Sequence, residues 1–220
     1  MKTNFGLVKY AQTALQEKWG YVWGTFGQVL TATLLQQKVN QYPSQVGANQ
    51  AFIKQNWLNK RVTDCVGLIK SYIWWNNGRL VYKAEQDLNA NMMYNQAKEK
   101  GTIGTIPEIP GVCVYKSGHI GVYIGKGQVI EARSTTRGVI QSPLKGSGAV
   151  AWTHWLKCPF IEYVEKGGIN MSQEPSDWAK DAWEWAKKEG IFDGTNPKEG
   201  ITREQVATVI HRLFLQGKMK

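Results

Sequence analysis

Apolar residues recur at intervals of three and four over residues 5–18. This spacing places them on one side of an α-helix, with lysine and glutamine on the other side. The pattern predicts an amphipathic helix at the start of the chain. Its apolar positions are Leu7, Val8, Ala11 and Leu15.

A second helical pattern starts at Cys65. Apolar residues again follow at helical spacing, and Thr63 or Asp64 precedes them in the position of a helix N-cap. The pattern therefore predicts a helix whose first residue is a cysteine. Its apolar positions are Val66, Leu68, Ile69, Tyr72 and Ile73.

Residues 118–132 predict a β-hairpin, with the Gly-Lys-Gly sequence of residues 125–127 as its turn. If the turn centres on Gly125, His119 and Glu131 lie directly opposite each other on neighbouring strands. Their Cβ atoms are then about 5 Å apart. The pattern thus predicts a histidine and a carboxylate in contact.

The end of the chain predicts two helices behind a linker. Residues 166–175 are polar and contain two glycines and a proline. Residues 176–177 are predicted to cap a helix that ends at Gly190, and Thr202 is predicted to cap a last helix over residues 203–215.

The length of 220 residues leaves room for one domain of about 150 residues and a small module. We therefore expect a first domain over residues 1–165, a linker over residues 166–175 and a helical module over residues 176–220.

Most of the net charge of +10 belongs to the first of these parts. Residues 1–165 contain 18 Lys and Arg against 9 Asp and Glu, whereas residues 166–220 contain 9 against 8. A basic surface of this kind favours polyanionic partners. No nucleic-acid-binding motif accompanies the charge, so nucleic acid is not the expected partner.

The cysteine content argues against a disulfide scaffold, because the chain has three cysteines and no Cys-x-x-Cys pair. The spacing of its Cys and His residues matches no common zinc-ligand set. Cys113 and Cys158 lie in apolar surroundings and are predicted to be buried core thiols, with Cys158 at the start of a strand.

Cys65 differs from the other two cysteines in its position at a predicted helix start. The positive end of the helix dipole is expected to lower the pKa of such a thiol and to favour the thiolate. With His119 as base and Glu131 as the group that orients it, Cys65 forms a candidate nucleophile. His154, in a predicted strand, is the reserve candidate for the base.

Four segments resemble motifs of the NlpC/P60 family, in the expected order and spacing. They are Tyr-Val-Trp-Gly at residues 21–24, Asp-Cys-Val-Gly-Leu at residues 64–68, Gly-His-Ile-Gly-Val-Tyr-Ile-Gly at residues 118–125 and Val-Ile-Glu-Ala at residues 129–132. The resemblance spans residues 7–165. Residues 25–61, longer than a minimal family member needs, are expected to shape the substrate cleft.

The resemblance implies an α+β, papain-like fold in which N-terminal helices pack on an antiparallel sheet. It also implies that Cys65 is the nucleophile and His119 the base, with Glu131 at a position more often occupied by His, Asn or Gln. Tyr21 and Asp64 are expected to contact the substrate. No metal or other cofactor is implied.

The function implied by the resemblance is hydrolysis of bacterial peptidoglycan. The favoured reaction is cleavage of the stem peptide near the bond between D-Glu and the diamino acid. An amidase that cuts between muramic acid and L-Ala, with the same residues, is an alternative. A non-catalytic protein that binds the cell wall is another, and anionic wall polymers are expected partners in each case.

The C-terminal segment resembles one S-layer homology (SLH) repeat. The matching segments are Trp-Ala at residues 178–179, Gly-Ile-Phe-Asp-Gly at residues 190–194 and Ile-Thr-Arg-Glu-Gln at residues 201–205. By this resemblance, Arg203 and Trp183 are expected to contact the cell-wall polymer. A single repeat of about 40 residues is marginal for independent folding, which leaves open an oligomer formed through it.

The first thirty residues contain no apolar stretch of the kind found in signal peptides. The chain also lacks a run of eighteen apolar residues, so no membrane-spanning segment is predicted. We therefore expect synthesis in the cytoplasm and action at the cell wall after release through a holin, as for a phage endolysin.

Overall fold

The residues described by the computed structural model are 2–164, 179–191, 203–215 and 217. They belong to two compact units, Met1–Tyr163 and Val164–Lys220. The predicted linker at residues 166–175 lies outside the described residues. The predicted domain boundaries therefore stay predictions.

The first unit mixes helices and strands. Its α-helices are α1 (Asn4–Gln16), α2 (Ala32–Gln41), α3 (Gln50–Trp57), α4 (Cys65–Trp74) and α5 (Ala90–Gln96). Its strands are β1 (Gly20–Tyr21), β2 (Phe26–Val29), β3 (Arg61–Thr63), β4 (Trp75–Asn76), β5 (Arg79–Leu80), β6 (Lys100–Thr102), β7 (Cys113–Lys116), β8 (His119–Gly125), β9 (Gln128–Ser134), β10 (Gly138–Pro143) and β11 (His154–Leu156).

Six of the strands form an antiparallel sheet in the order β10-β9-β8-β7-β11-β6. A smaller sheet has the order β1-β3-β2, and in it β1 runs parallel to β3. Strands β4 and β5 pair with each other. This arrangement agrees with the expected α+β fold class.

Both faces of the six-stranded sheet are covered. Side chains alternate between the faces of a strand, so neighbouring residues enter different cores. Ile120 and Ile130 belong to the core that contains α1 and α4. Tyr123 and Val129 belong to a second core, which contains Trp152.

The two helices predicted for this unit are confirmed. Helix α1 begins after Thr3, whose hydroxyl oxygen accepts a hydrogen bond from the Gly6 N–H at 3.1 Å. Helix α4 begins at Cys65, and its N-cap is Asp64. The Asp64 carboxylate accepts the N–H of Gly67 at 2.6 Å, which satisfies one of the free donors at the helix start.

The predicted hairpin is confirmed as β8 and β9, but its predicted register is wrong. Val122 pairs with Ile130, so His119 is not directly opposite Glu131. The turn consists of Lys126 and Gly127, which both have positive φ (52° and 67°), as a tight two-residue hairpin turn requires. The turn therefore centres between Lys126 and Gly127, whereas the sequence predicted a centre on Gly125.

Residues 25–61 form a small core together with Val22 and Val62. Helices α2 and α3 pack on the smaller sheet and cover a group of buried apolar side chains. This group consists of Val22, Leu30, Leu35, Val46, Ile53 and Val62.

The three cysteines are unpaired and buried. Cys113 lies in β7 and is a buried core thiol, as predicted. Cys158 is a buried core thiol, as predicted, but it follows β11 in irregular backbone, so the prediction that it starts a strand is wrong. Pro159 comes next and has no N–H to donate to a strand ladder.

The second unit contains helices α6 (Lys180–Lys188) and α7 (Arg203–Leu215). The bounds of α7 match the predicted last helix. The residues predicted to cap the two helices, 176–177 and 202, lie outside the described residues, as do residues 178, 192–194 and 201 of the SLH-like segments. Among the helices that the structure describes, none has the length and apolar character needed to cross a bilayer.

Helix α6 ends as its sequence predicts. Gly190 has a left-handed φ of 68°, and its N–H donates to the Lys187 carbonyl at 3.0 Å. The Ile191 N–H donates to the Ala186 carbonyl at 2.9 Å. These two bonds form a Schellman motif, in which glycine avoids the steric penalty of the left-handed conformation.

Candidate active site

Cys65 is the first residue of α4 and is 6% exposed. Its sulfur lies 3.9 Å from the carbonyl oxygen of Gly118. The backbone N–H of Ile120 also forms a hydrogen bond to this sulfur. The thiol therefore contacts the backbone on both sides of His119, the residue predicted to be its base.

The helix start is held close to the loop that follows β1. One Asp64 oxygen accepts the N–H of Gly67, and the other accepts the N–H of Gly24 at 2.9 Å. A Cβ atom added to Gly67 would lie 2.0 Å from the carbonyl oxygen of Thr25. Glycine is therefore required two residues after the cysteine, because a side chain would separate the helix from this loop.

The side chains of His119 and Glu131 form a hydrogen bond of 2.6 Å between Nε2 and Oε2. This bond leaves Nδ1 as the ring nitrogen that can take a proton from another group. Because Val122 pairs with Ile130, the same register places Gly121 opposite Glu131. The side chain of His119, two residues before Gly121, therefore reaches the carboxylate as a diagonal neighbour on the adjacent strand. The predicted contact is present although the predicted register is not.

Two further side chains hold the other oxygen of Glu131. Ser142 Oγ donates to Oε1 at 2.6 Å, and Arg133 Nη1 donates to it at 2.8 Å. Glu131 is fully buried. Burial would raise the pKa of this carboxyl, but hydrogen bonds from His119 and Ser142, together with the charges of His119 and Arg133, lower the pKa overall. The carboxylate is thus kept ionised.

The position of the imidazole is further restricted by an aromatic ring. Trp152 stacks on His119, with the ring centroids 5.2 Å apart and the planes 7° apart. A Cβ on Gly121 would lie 2.8 Å from Val129 Cγ1 and 3.2 Å from the Trp152 ring. Gly121 therefore leaves room for the tryptophan beside the histidine.

The backbone before the histidine is held by Asn91 of α5. Its side-chain oxygen accepts the Gly118 N–H at 2.8 Å and the Tyr115 hydroxyl at 2.9 Å. Because the Gly118 carbonyl also contacts the Cys65 sulfur, Asn91 helps to position the contact between the start of α4 and the start of β8.

Tyr21 and Asp64 lie close enough to Cys65 for their charges to interact. Burial and the neighbouring Cys65 and Asp64 raise the pKa of Tyr21. Burial also raises the pKa of Asp64, against the opposing hydrogen bonds from Gly67 and Gly24. The Tyr21 hydroxyl therefore keeps its proton at neutral pH and can serve as a hydrogen-bond donor.

The thiol does not have the low pKa expected from its position at a helix start. Burial and the Asp64 charge raise the pKa of Cys65 to about 12, while hydrogen bonds from backbone N–H groups oppose the rise. Desolvation thus outweighs the helix terminus. In this state the sulfur carries its proton, and forming a thiolate requires a base at the moment of attack.

Alkylation of Cys65 by iodoacetamide is expected to accelerate about tenfold per pH unit between about pH 6 and about pH 10, without a plateau. Only the thiolate reacts, and a pKa of about 12 lies above this range. The rate is measured by peptide mapping, with Cys65→Ala giving the background from Cys113 and Cys158. A plateau below about pH 8 would instead indicate a thiolate formed before substrate arrives.

A cleft of about 520 Å³ opens beside Cys65. The N-terminus of α4 lines it, together with residues from the loop after β1, from α2 and from the start of α5. Residues 25–61 thus contribute a wall of the cleft, as expected from their length. Its lining includes Trp23, Lys38, Gln41, Tyr42, Asp64, Lys70, Asp87 and Met92.

The structure brings the predicted residues of the first unit into one region. Cys65, His119 and Glu131 follow one another from the helix start to the sheet, and Tyr21 and Asp64 are adjacent to the thiol. The roles assigned to these five residues stay predictions.

Four residues of the site were missed from the sequence. Arg133 had a local signal, because it lies two residues after Glu131 and shares its face of the strand. Ser142, Trp152 and Asn91 had none, since each comes from another segment and reaches the site only through the fold.

The remaining candidates lie outside this region. His154 contacts Tyr94, with ring centroids 5.1 Å apart, and Thr153, so it does not take part in the Glu131 network. Trp183 is half-buried in α6. Arg203 is the first residue of α7, and its side chain lies outside the described part of the chain.

Metal ligation has no support in the described ranges of the chain. Within residues 2–164 and the two C-terminal helices, no three His, Cys, Asp or Glu side chains are grouped closely enough to hold a metal ion.

Comparison with protein-family models gives a match to the NlpC/P60 family over residues 18–157. No curated protein sequence matches the chain significantly.

Several solved structures are similar to the chain. The peptidoglycan hydrolase RipB from Mycobacterium tuberculosis is 19% identical, with 73% of this chain and 67% of that chain covered and a TM-score of 0.38. The P60 domain of an antigen from M. avium subspecies paratuberculosis is 22% identical, with 73% and 98% covered and a TM-score of 0.39. NlpC2 from Trichomonas vaginalis is 16% identical, and the chain spans 48% of its length while 71% of this chain is covered, with a TM-score of 0.37. Similarities at this level establish neither a shared substrate nor a shared site.

Proposed function

The chain belongs to the NlpC/P60 family, and we propose that it is a cysteine hydrolase that cuts peptides of the bacterial cell wall. One observation carries the proposal: the Cys65 thiol lies against the backbone around His119, whose ring is bonded to Glu131. A thiol, an imidazole and a carboxylate in this order can activate a cysteine nucleophile. Family membership supports the cell wall as the target.

In the proposed reaction, His119 Nδ1 takes the thiol proton as the sulfur attacks a peptide carbonyl. The tetrahedral intermediate collapses to a thioester, and the leaving amine receives the proton from His119. His119 then takes a proton from water as the water oxygen attacks the thioester carbonyl. The C–S bond breaks, the carboxylic acid product leaves, and the sulfur receives the proton from His119, which restores the thiol. Glu131 stays ionised and stabilises the imidazolium that forms in each half of the reaction.

Two groups are suited to stabilise the oxyanion. The backbone N–H of Cys65 lies at the start of α4, where the first N–H groups have no carbonyl partner within the helix. The Tyr21 hydroxyl keeps its proton because burial raises its pKa. Both would donate hydrogen bonds to the carbonyl oxygen as it gains charge.

Within this class we favour an endopeptidase that cuts near the bond between D-Glu and the diamino acid. An amidase with the same residues would cut between muramic acid and L-Ala. Both reactions attack an amide carbonyl, so the same thiol, base and oxyanion donors would serve either. The new termini distinguish them.

Purified Gram-positive cell walls incubated with the protein are expected to lose turbidity and release soluble fragments. Mass spectrometry of the fragments then identifies the bond: a free α-amine on the diamino acid indicates the endopeptidase, and a free α-amine on L-Ala indicates the amidase. Heat-denatured protein is the control. If the protein sediments with several types of wall but releases no fragments, a non-catalytic wall-binding function replaces the hydrolase.

For the second unit we propose binding to anionic wall polymers, through an SLH-like repeat that includes Arg203 and Trp183. The sequence motifs and the two helices α6 and α7 support this proposal, and the charge of +9 over residues 1–165 favours the same polyanions. We also propose that this unit can form an oligomer. Release of the protein to the wall would occur through a holin, as for a phage endolysin.

A further inference from the structure

The cleft beside Cys65 contains two lysines and two carboxylates, and three of these four groups are already engaged. Lys70 Nζ lies 2.6 Å from Asp87 Oδ1. The Tyr82 hydroxyl donates to the other Asp87 oxygen at 3.0 Å. Both Asp64 oxygens accept backbone N–H groups. The fourth group, Lys38, has no such partner.

Lys38 lies on α2 and is half-buried. Its ammonium donates to the side-chain oxygen of Gln41 at 2.9 Å and lies 5.6 Å from the centroid of the Tyr42 ring. Among the residues that the structure describes, no carboxylate forms an ion pair with it. Its direct contacts are therefore neutral groups, and the charges of Asp64 and Asp87 act on this partly desolvated cation only from beyond ion-pair distance.

A charge in this position is stabilised by an anion that enters the cleft. Removing an ammonium from water costs free energy, and a charge-assisted hydrogen bond recovers part of that cost. The negative groups nearby do not replace such a ligand, because Asp87 is bound by Lys70 and Asp64 is bound by the helix start. A carboxylate that enters the cleft can therefore form an ion pair with Lys38.

The surroundings of Lys38 suit an anion carried on an organic chain. Trp23 is 40% exposed and Met92 is 44% exposed, and both line the same cleft. Tyr42 adds a third large side chain beside Lys38. These surfaces can pack against the aliphatic part of a peptide side chain while its carboxylate reaches the ammonium.

We propose that Lys38 binds a carboxylate of the substrate and thereby makes the enzyme selective for acidic peptides. The proposal rests on the proposed function, because it takes the peptide attacked by Cys65 as the ligand. Lys38 is a specificity-determining residue in this account and takes no part in the chemical steps.

The test uses two synthetic stem peptides that contain the bond between D-Glu and the diamino acid. They differ only in the free carboxyl of D-Glu, which is either left as a carboxylate or converted to the carboxamide. We expect the wild-type protein to cut the carboxylate peptide with about tenfold higher kcat/KM. Lys38→Met should remove this preference by raising KM for the carboxylate peptide, with the carboxamide peptide unaffected.

Two variants serve as controls. Lys38→Arg keeps the charge and should keep the preference. Lys54→Met removes an exposed lysine of α3 that does not line the cleft, and it should behave as wild type. The proposal is overturned if Lys38→Met retains the preference for the carboxylate peptide. It is also overturned if kcat/KM falls by the same factor for both peptides.

Binding of the same peptides to the Cys65→Ala protein separates this proposal from the hydrolase itself. Calorimetry should show tighter binding of the carboxylate peptide, and the difference should disappear when Lys38→Met is added. If this binding difference is found but the wild-type protein cuts neither peptide, the carboxylate site is retained and the hydrolase is rejected. Cleavage of both peptides at equal rates would retain the hydrolase and reject the site.

Discussion

Replacing Cys65 with alanine is expected to lower the rate of cell-wall hydrolysis by at least about 10⁴-fold. The sulfur is the atom that would form the bond to the substrate, and no other thiol lines the cleft. His119 and Glu131 would remain bonded to each other but would have no nucleophile to activate. The measurement compares initial rates of fragment release from purified walls at equal protein concentration.

Cys158→Ala is the matched control for this experiment. It removes a thiol of similar burial, 2% exposed against 6% for Cys65, from a part of the core away from the cleft. Its activity should stay within about threefold of wild type, and its unfolding should show a modest loss of stability for a small cavity. Wild-type activity of Cys65→Ala would show that the hydrolysis does not depend on this thiol.

Substitution of Gly67 by alanine is expected to lower the free energy of unfolding by at least about 2 kcal/mol. The new Cβ would lie 2.0 Å from the Thr25 carbonyl oxygen, which accepts the Asp64 N–H at 3.0 Å. The loop must therefore move, and the bonds from Gly24 and the Asp64 backbone weaken with it. The better helix propensity of alanine, about 1 kcal/mol, does not offset this loss. Urea unfolding measures the difference.

Gly104→Ala provides the comparison, because no heavy atom lies within 4 Å of a Cβ built at Gly104. Its free energy of unfolding should lie within about 0.5 kcal/mol of wild type. An unfolding midpoint for Gly67→Ala equal to that of wild type would mean that the contact with Thr25 is not required. The activity of Gly67→Ala should fall as well, since the same contact positions Cys65.

Local patterns predicted the elements that carry the site. The apolar spacing after Cys65 and the carboxylate before it were sufficient for helix α4, because capping and burial of one face act within a few residues. The hairpin of β8 and β9 was likewise predicted by its Gly-Lys-Gly turn. Its register was not, because the choice between two neighbouring turn positions depends on φ angles that the sequence leaves open.

The protonation of Cys65 shows where local reasoning ended. The helix start alone predicts a lowered pKa, whereas the folded chain raises the pKa to about 12. The difference arises because the thiol lies against the backbone of residues 118–120 and is almost completely removed from water. The effect of the helix dipole on the thiol pKa can be predicted from the position of Cys65 in the helix. Desolvation of the thiol depends on segments that are far away in the sequence.

Short-range patterns were sufficient for the helix with the cysteine at its start and for the hairpin with the histidine and glutamate, because periodicity and capping act over a few residues. The class of fold came instead from the resemblance of the four motifs to those of the NlpC/P60 family. Three features became known only from the folded chain: Ser142 holds Glu131, Trp152 stacks on His119, and Lys38 lines the cleft without forming an ion pair with a carboxylate of the described residues. Such contacts join segments that are distant in sequence, and hydrogen bonds and packing across them form only when the whole domain closes around its core.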